Sequence, residues 1–281
     1  MSEAIIRHAR EEDLRTLRMI WTLAFDDESR LVDVFHEHFF TPENCLVAEL
    51  HGKVCAGAYM IRGIRLLDGK GAEKPAAYFY ALATHPDYRG QDLGTMVTRS
   101  CLELARERGE VLCLFPEDED LRRWYAHMNG LRDLGGRNII YTNPRLCALP
   151  PKFRVCEISP ADYVAKREAM LAQRVHAALP ESYFNFQASL FALAGAGALV
   201  EFEIDGVKGL ACVQQFLGSL DVKELLYEGH PKTAAAVLMK HFEADGSVLY
   251  MPADEEQDEV TVMADGAFKE MRGLWWGPML D

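Results

Sequence analysis

Tyr88-Arg89-Gly90-Gln91-Asp92-Leu93-Gly94-Thr95 is the stretch on which the reading of this chain turns. An apolar run, Tyr78-Phe79-Tyr80-Ala81-Leu82-Ala83-Thr84, leads into it through His85-Pro86-Asp87. After it, Leu93, Met96, Val97, Leu104 and Ala105 recur at helical spacing. Strand, tight turn and helix in that order make an anion site. The first N–H groups of a helix have no intrahelical acceptor, and the helix dipole favours negative charge beside them. Gly90 and Gly94 let a ligand approach the backbone without a Cβ in the way. Arg89 adds a fixed cation suited to phosphate.

Working outward, Ile5 to Ala9 reads as a short strand, and Glu11-Glu12-Asp13 opens a helix with acids in its first turn. Leu46–Leu50 and Val54–Arg65 flank the turn His51-Gly52-Lys53 and read as a hairpin. Val111–Phe115 is a further strand, and Leu121–Met128 a short helix stopped by Asn129-Gly130. The second half repeats much of this order. Leu199 to Ala211 resembles Leu46 to Ala58, and Ser247 to Pro252 echoes Glu110 to Pro116. Val155 to Asp162 repeats the opening strand and helix start. The expected architecture is therefore mixed α/β in two similar domains, residues 1–149 and 150–281, each a central mixed sheet flanked by helices.

Composition sets the outer bounds. Of 281 residues, 49% are hydrophobic and 26% charged, which suits a packed globular core. No run approaches the roughly 20 apolar residues needed to cross a bilayer. Met1-Ser2-Glu3-Ala4 lacks the basic, apolar start of a secretory signal, so a cytoplasmic location is expected. The net charge is −13, and residues 150–281 carry the larger share, with 11 basic and 20 acidic side chains. Such a field argues against nucleic acid and anionic membrane and suits a small-molecule amine or a basic peptide. A homodimer is left open. The seven cysteines show no CxxC spacing, so they read as small buried hydrophobes and no metal site is expected.

From Ala81 to Gly94, with the helix that follows to Arg108, the sequence resembles the GCN5-related N-acetyltransferase (GNAT) family. That family's pyrophosphate signature runs Arg or Gln, two residues, Gly, one residue, Gly or Ala. Arg89 and Gly94 match its ends, and Asp92 stands where the central glycine is usual. The resemblance covers residues 3–143, and the second half looks like a worn copy. It implies acetyl-CoA as the acetyl donor, with Leu82, Ala83 and Thr84 offering backbone groups to the pantetheine arm. The N–H groups of Arg89, Gly90, Gln91, Asp92, Leu93, Gly94 and Thr95 would hold the pyrophosphate. Asp92 is expected to turn its carboxylate away and cap the helix.

The resemblance also implies that Tyr125 serves as general acid to the leaving thiolate. No carboxylate stands on the strand Tyr78–Thr84, where many members carry a glutamate base. Tyr80, His85 through a water, and the terminal carboxylate of Asp281 remain alternatives. Tyr227-Glu228-Gly229-His230-Pro231-Lys232-Thr233-Ala234, the equivalent of the turn in the second half, lacks the arginine and the glycine spacing, so no CoA is expected there. The implied activity is transfer of acetyl to a primary amine by direct attack in a ternary complex. An acyl-CoA-binding regulatory module without turnover is the competing reading. A Rossmann nucleotide site fits poorly, because the turn lacks GxGxxG and a hairpin precedes it.

Overall fold

The computed structural model describes residues 4–146, 148–252, 259–268, 271 and 273–280. Asp281 and the acidic stretch from Asp254 to Asp258 lie outside the described residues. The fold is mixed α/β. In chain order the elements are β1 (Ile5–His8), α1 (Leu14–Phe25), α2 (Ser29–Phe39), β2 (Cys45–Leu50), β3 (Lys53–Leu67), β4 (Glu73–Thr84), α3 (Leu93–Glu107), β5 (Val111–Leu114), α4 (Glu119–Asn129) and β6 (Leu131–Thr142). There follow β7 (Phe153–Glu157), α5 (Pro160–Leu171), β8 (His176–Ala178), α6 (Glu181–Ala194), β9 (Gly197–Ile204), β10 (Val207–Phe216), β11 (Ser219–Tyr227), α7 (Pro231–His241), β12 (Gly246–Pro252) and β13 (Glu259–Asp265). Among the described residues no helix is long and apolar enough to cross a membrane.

Two compact units form. The first holds residues 1–66, 73–134 and 261–270, and the second holds 67–72, 135–260 and 271–281. These are not the same stretches as the two sequence halves, because the change of unit falls inside β6 and the segment around β13 returns to the first unit. In the first unit the strand order is β1-β2-β3-β4-β5-β13, with β4 and β5 parallel. In the second it is β7-β9-β10-β11-β12-β6, with β11 and β12 parallel. The two lists correspond strand for strand. The three two-residue hairpin turns, His51-Gly52, Asp205-Gly206 and Leu217-Gly218, have positive φ at each position, the geometry that matches strand twist.

Each sheet carries one helix core built from the same positions. In the first unit α3 packs Leu93, Val97, Cys101, Leu102 and Ala105 onto Ala56, Ala58, Ala77, Phe79 and Leu112. In the second α7 packs Ala234, Val237 and Leu238 onto Val200, Phe202, Val213, Val222 and Leu249. Burial of these faces, worth about 25 cal/mol per Å² of apolar surface, is the main stabilising term. Cys45, Cys55, Cys101, Cys113 and Cys212 are buried free thiols, as their apolar settings predict. At the end of α3, Arg106 pairs in two contacts of 2.6 and 2.7 Å with Asp265 on β13, which fixes that strand beside β5.

The other face of the first sheet is covered by α1 and α2. The sequence reading left α2 unassigned, although Val32, Phe35, His36 and Phe39 give it one buried side. His36 donates from Nδ1 to the Val32 carbonyl at 2.7 Å and accepts from the Tyr59 hydroxyl at 2.7 Å. Burial opposes a charge here and lowers its pKa to about 4. The unfolded chain therefore takes up its proton first as the pH falls. Stability from this group is complete above about pH 6.5 and is lost progressively toward pH 4, by roughly 3 kcal/mol in all. Urea unfolding at pH 7 and pH 4.5 should show the loss, and His36→Gln should remove that part of the slope.

Candidate functional site

The site begins with an irregularity in β4. Tyr78 and Tyr80 lie together, with ring centroids 5.3 Å apart, and Tyr80 stacks on Phe35 of α2 at 5.1 Å. Phe79 and Leu82 instead pack into the α3 core. Alternation would put Phe79 and Ala81 on one face. Ala81 has φ of 50°, a left-handed conformation rare for a residue with a Cβ, and so acts as an inserted residue. The parallel register of β4 with β5 runs from Ala76–Val111 to Tyr78–Cys113, yet β4 continues to Thr84. Leu82, Ala83 and Thr84 thus extend past that register and present a strand edge on which an extended ligand can pair.

His85 ends the strand, its N–H donating to the Cys55 carbonyl at 2.8 Å. Pro86–Tyr88 makes one tight helical turn, with the Asp87 N–H donating to His85 Nδ1 at 3.2 Å. Arg89 is exposed, and its Nε reaches back to the Thr84 carbonyl at 3.4 Å. Gly90 and Asp92 both take positive φ, 76° and 61°. Hydrogen bonding along α3 starts with the Met96 N–H on the Asp92 carbonyl at 3.1 Å. Among the described residues no acceptor faces the N–H groups from Gly90 to Thr95. Asp92 holds the N-cap position, but its side chain makes no capping bond. The expected cap is therefore not made. The left-handed backbone at this position explains why a glycine suits it and an aspartate is tolerated.

Gly94 sits one residue into the helix. A Cβ built there would meet Leu82 at 3.7 Å, Trp124 at 3.9 Å and Thr84 at 4.0 Å, which are ordinary contacts. The absence of a side chain at Gly94 therefore leaves space above the amides and is not demanded by packing. Trp124 and its neighbour Tyr125 belong to α4, which Asp118 opens by accepting from the Leu121 N–H at 2.7 Å. Gly130 closes that helix in a left-handed cap. Tyr125 is buried in the α3 core, with its ring 4.7 Å from that of Trp124. Its hydroxyl has no hydrogen-bond partner among the described residues. Burial, with a smaller push from the Cys101 thiol, holds the phenol above the usual tyrosine range. Tyr125 thus stays protonated at any working pH, as a proton donor must.

The three candidate bases fare differently. His85 spends Nδ1 on the Asp87 amide, so its geometry is that of a turn residue with Nε2 carrying the proton. Tyr80 is half-buried on the α1–α2 face of β4, within 5.8 Å of the Trp21 ring. Asp281 is outside the described residues. The aromatic wall of Trp21, Phe35 and Tyr59 around Tyr80 was missed in the sequence because α2 was missed; its spacing of apolar residues was the available signal.

In the second unit the corresponding turn is closed. His230-Pro231 opens α7 directly, with the Lys232 N–H donating to His230 Nδ1 at 3.3 Å. The Thr233 and Ala234 amides donate to the His230 carbonyl at 3.0 and 3.4 Å. The Tyr227 ring lies across Gly229, where an added Cβ would fall 2.4 Å from it. Glu224 on β11 is fully buried and saturated, accepting from Arg167, Tyr163 and Trp275.

With this geometry in view, comparison with known proteins is direct. Residues 4–130 match the family model of the acetyltransferase (GNAT) family. No sequence among the curated proteins matches the chain. A probable N-acyltransferase of unknown function from Enterococcus faecalis superposes with a TM-score of 0.70 at 12% identity, over 94% of this chain and 72% of the other. A GCN5-related N-acetyltransferase from Anabaena variabilis gives 0.69 at 12%, over 93% and 72%. A tandem GNAT protein from the clavulanic acid biosynthesis pathway gives 0.53 at 12%, over 95% and 100%. These likenesses share the fold, and the stretch that matches the acetyltransferase (GNAT) family model, residues 4–130, spans the bulged strand, the uncapped turn and α4.

Proposed function

We propose that the first unit is an N-acetyltransferase that moves acetyl from acetyl-CoA to a primary amine. The observation that carries this reading is the run of acceptor-free N–H groups from Gly90 to Thr95 beside the free edge of β4. The amides and Arg89 suit a diphosphate, and Leu82–Thr84 suit the amide-bearing pantetheine arm. The acceptor nitrogen attacks the thioester carbon directly. The C–N bond forms, the C–S bond breaks, the sulfur takes its proton from Tyr125, and the nitrogen gives one up to a base. Tyr80, the Asp281 carboxylate and water are the candidates for that base; His85 is disfavoured by its turn geometry. The second unit, with its anion turn filled by Tyr227 and His230, is a degenerate copy that binds no CoA.

The test is acetyl-CoA titration by calorimetry together with CoA release over polyamines, aminoglycosides, amino acids and peptides. Binding with release on at least one amine supports the reading. Tight binding with no release on any amine would instead favour an acyl-CoA-binding regulatory module, which the bare strand β4 and Asp92 make the second reading. Asp92→Gly tests the turn itself. It removes a carboxylate from beside the phosphates and relieves the left-handed backbone, a strain of about 1 kcal/mol. The dissociation constant of acetyl-CoA should fall several-fold; an unchanged or weaker affinity would refute this account of the position.

A further inference from the structure

Helix α1 carries large apolar side chains on its outer side as well as its inner one. Inward it buries Leu17, Ile20 and Trp21. Trp21 is wedged against Phe35 of α2 at 4.7 Å and donates its indole N–H to Asp27 Oδ2 at 2.7 Å, which pins the link between the two helices. Outward, Met19 and Leu23 stand one turn apart, 47% and 49% exposed. A surface helix ordinarily gives such positions to polar residues. Between these two and Ser29 and Val32 of α2 runs a groove of about 340 Å³, crossed by the Arg18–Asp33 ion pair at 3.1 Å. Arg15 and Asp26 end the same outer stripe. Both are exposed, and among the described residues neither has an ion-pair partner.

The stripe is complementary to itself. Arg15 and Asp26 are separated by about three turns, roughly 16 Å, so they lie on one side of the helix, with Met19 and Thr22 midway between them. A two-fold axis through that midpoint, with two α1 helices antiparallel, sets Arg15 against the partner's Asp26 and Met19 against the partner's Thr22. Leu23 then meets the partner's Arg18, whose stem is apolar. The ionic contact is made twice, once on each side of the axis. A net charge of −13 sets two copies against each other over most of their surface, but here Arg15 and Arg18 face Asp26 and Glu28. We propose that this face of α1 docks a second copy of the chain as an antiparallel, two-fold dimer. Trp21, on the inner side of the same helix, lies 5.8 Å from Tyr80, so the dimer braces the aromatic wall beside β4.

Sedimentation velocity on the full chain, over a concentration series reaching about 100 μM, is the test. The wild type should sediment as a dimer. Leu23→Glu should weaken association at least about 100-fold, because the lost apolar contact and the new charge each count twice. Arg15→Glu and Asp26→Lys should each weaken it by about tenfold or more, since each sets like charges together at both ends. An equimolar mixture of those two variants should recover dimers near the wild-type affinity, because every end of the mixed pair again joins opposite charges. Circular dichroism and thermal denaturation check that each variant is folded, and should Leu23→Glu fail to fold, the mixture decides alone. A wild type that stays monomeric, a dimer indifferent to Leu23→Glu, or a mixture that associates no better than its single variants overturns the inference. The readout is mass, so none of these outcomes bears on the acetyl-transfer reading.

Discussion

Gly94→Glu is expected to abolish acetyl-CoA binding, weakening it at least about 100-fold, in a protein that remains folded. The fold tolerates the change because a Cβ at Gly94 meets its neighbours at 3.7 to 4.0 Å, within ordinary contact. The new carboxylate would stand over the acceptor-free amides of α3, where the diphosphate is proposed to lie. Two like charges about 4 Å apart repel by roughly 4 kcal/mol at an effective dielectric near 20, more than the ~2.7 kcal/mol that a 100-fold loss requires. The side chain would also satisfy the helix amides itself, in the manner of an N-terminal acid. Calorimetry gives the affinity and thermal denaturation checks the fold. Undiminished binding by a folded variant would rule out this turn as the cofactor site.

Tyr125→Phe is expected to lower kcat by roughly 100-fold or more, with KM for acetyl-CoA little changed. The ring would keep its packing against Trp124 and Phe79, and no protein partner among the described residues is left unpaired. The melting temperature should therefore hold. Because burial keeps the phenol protonated, the wild-type rate should show no loss from Tyr125 ionising across the neutral and mildly alkaline range. Steady-state kinetics with one amine that turns over decides the matter, and a variant with full kcat would show Tyr125 to be a packing residue.

Local signals in the sequence carried most of the element order. The hairpin turn at His51-Gly52, the glycine stop at Gly130 and the stripe on α3 all act within a few residues, so pattern alone exposes them. The turn at Tyr88–Thr95 was legible for the same reason. The bulge at Ala81 was not, because an alanine in a left-handed conformation has no compositional mark. Nor was the indole bond of Asp27, which depends on a helix link folding back onto α1. The closing strands were hidden too. That β6 pairs with β12, and β13 with β5, is long-range pairing that residue periodicity does not encode. The two turns show how a short difference decides function. His85-Pro86 and His230-Pro231 begin alike, but the first is followed by one tight turn and four loop residues before its helix, and the second runs straight into α7.

The late arrival of β13 has a consequence for how the chain is made. Strand β5 pairs with β13 at Leu114–Met263 and Cys113–Ala264, and Arg106 awaits Asp265 at the same border. During synthesis the ribosome must release everything from β5 through β13 before this edge of β5 can be covered. Until then the nascent first unit shows one uncovered edge of an apolar strand, of the kind that invites aggregation and chaperone attention. Messages cut short anywhere before β13 would therefore yield sticky fragments in place of a free-standing first unit. Ordering the strands in this way makes the arrival of β13 a quality check on the unit translated before it.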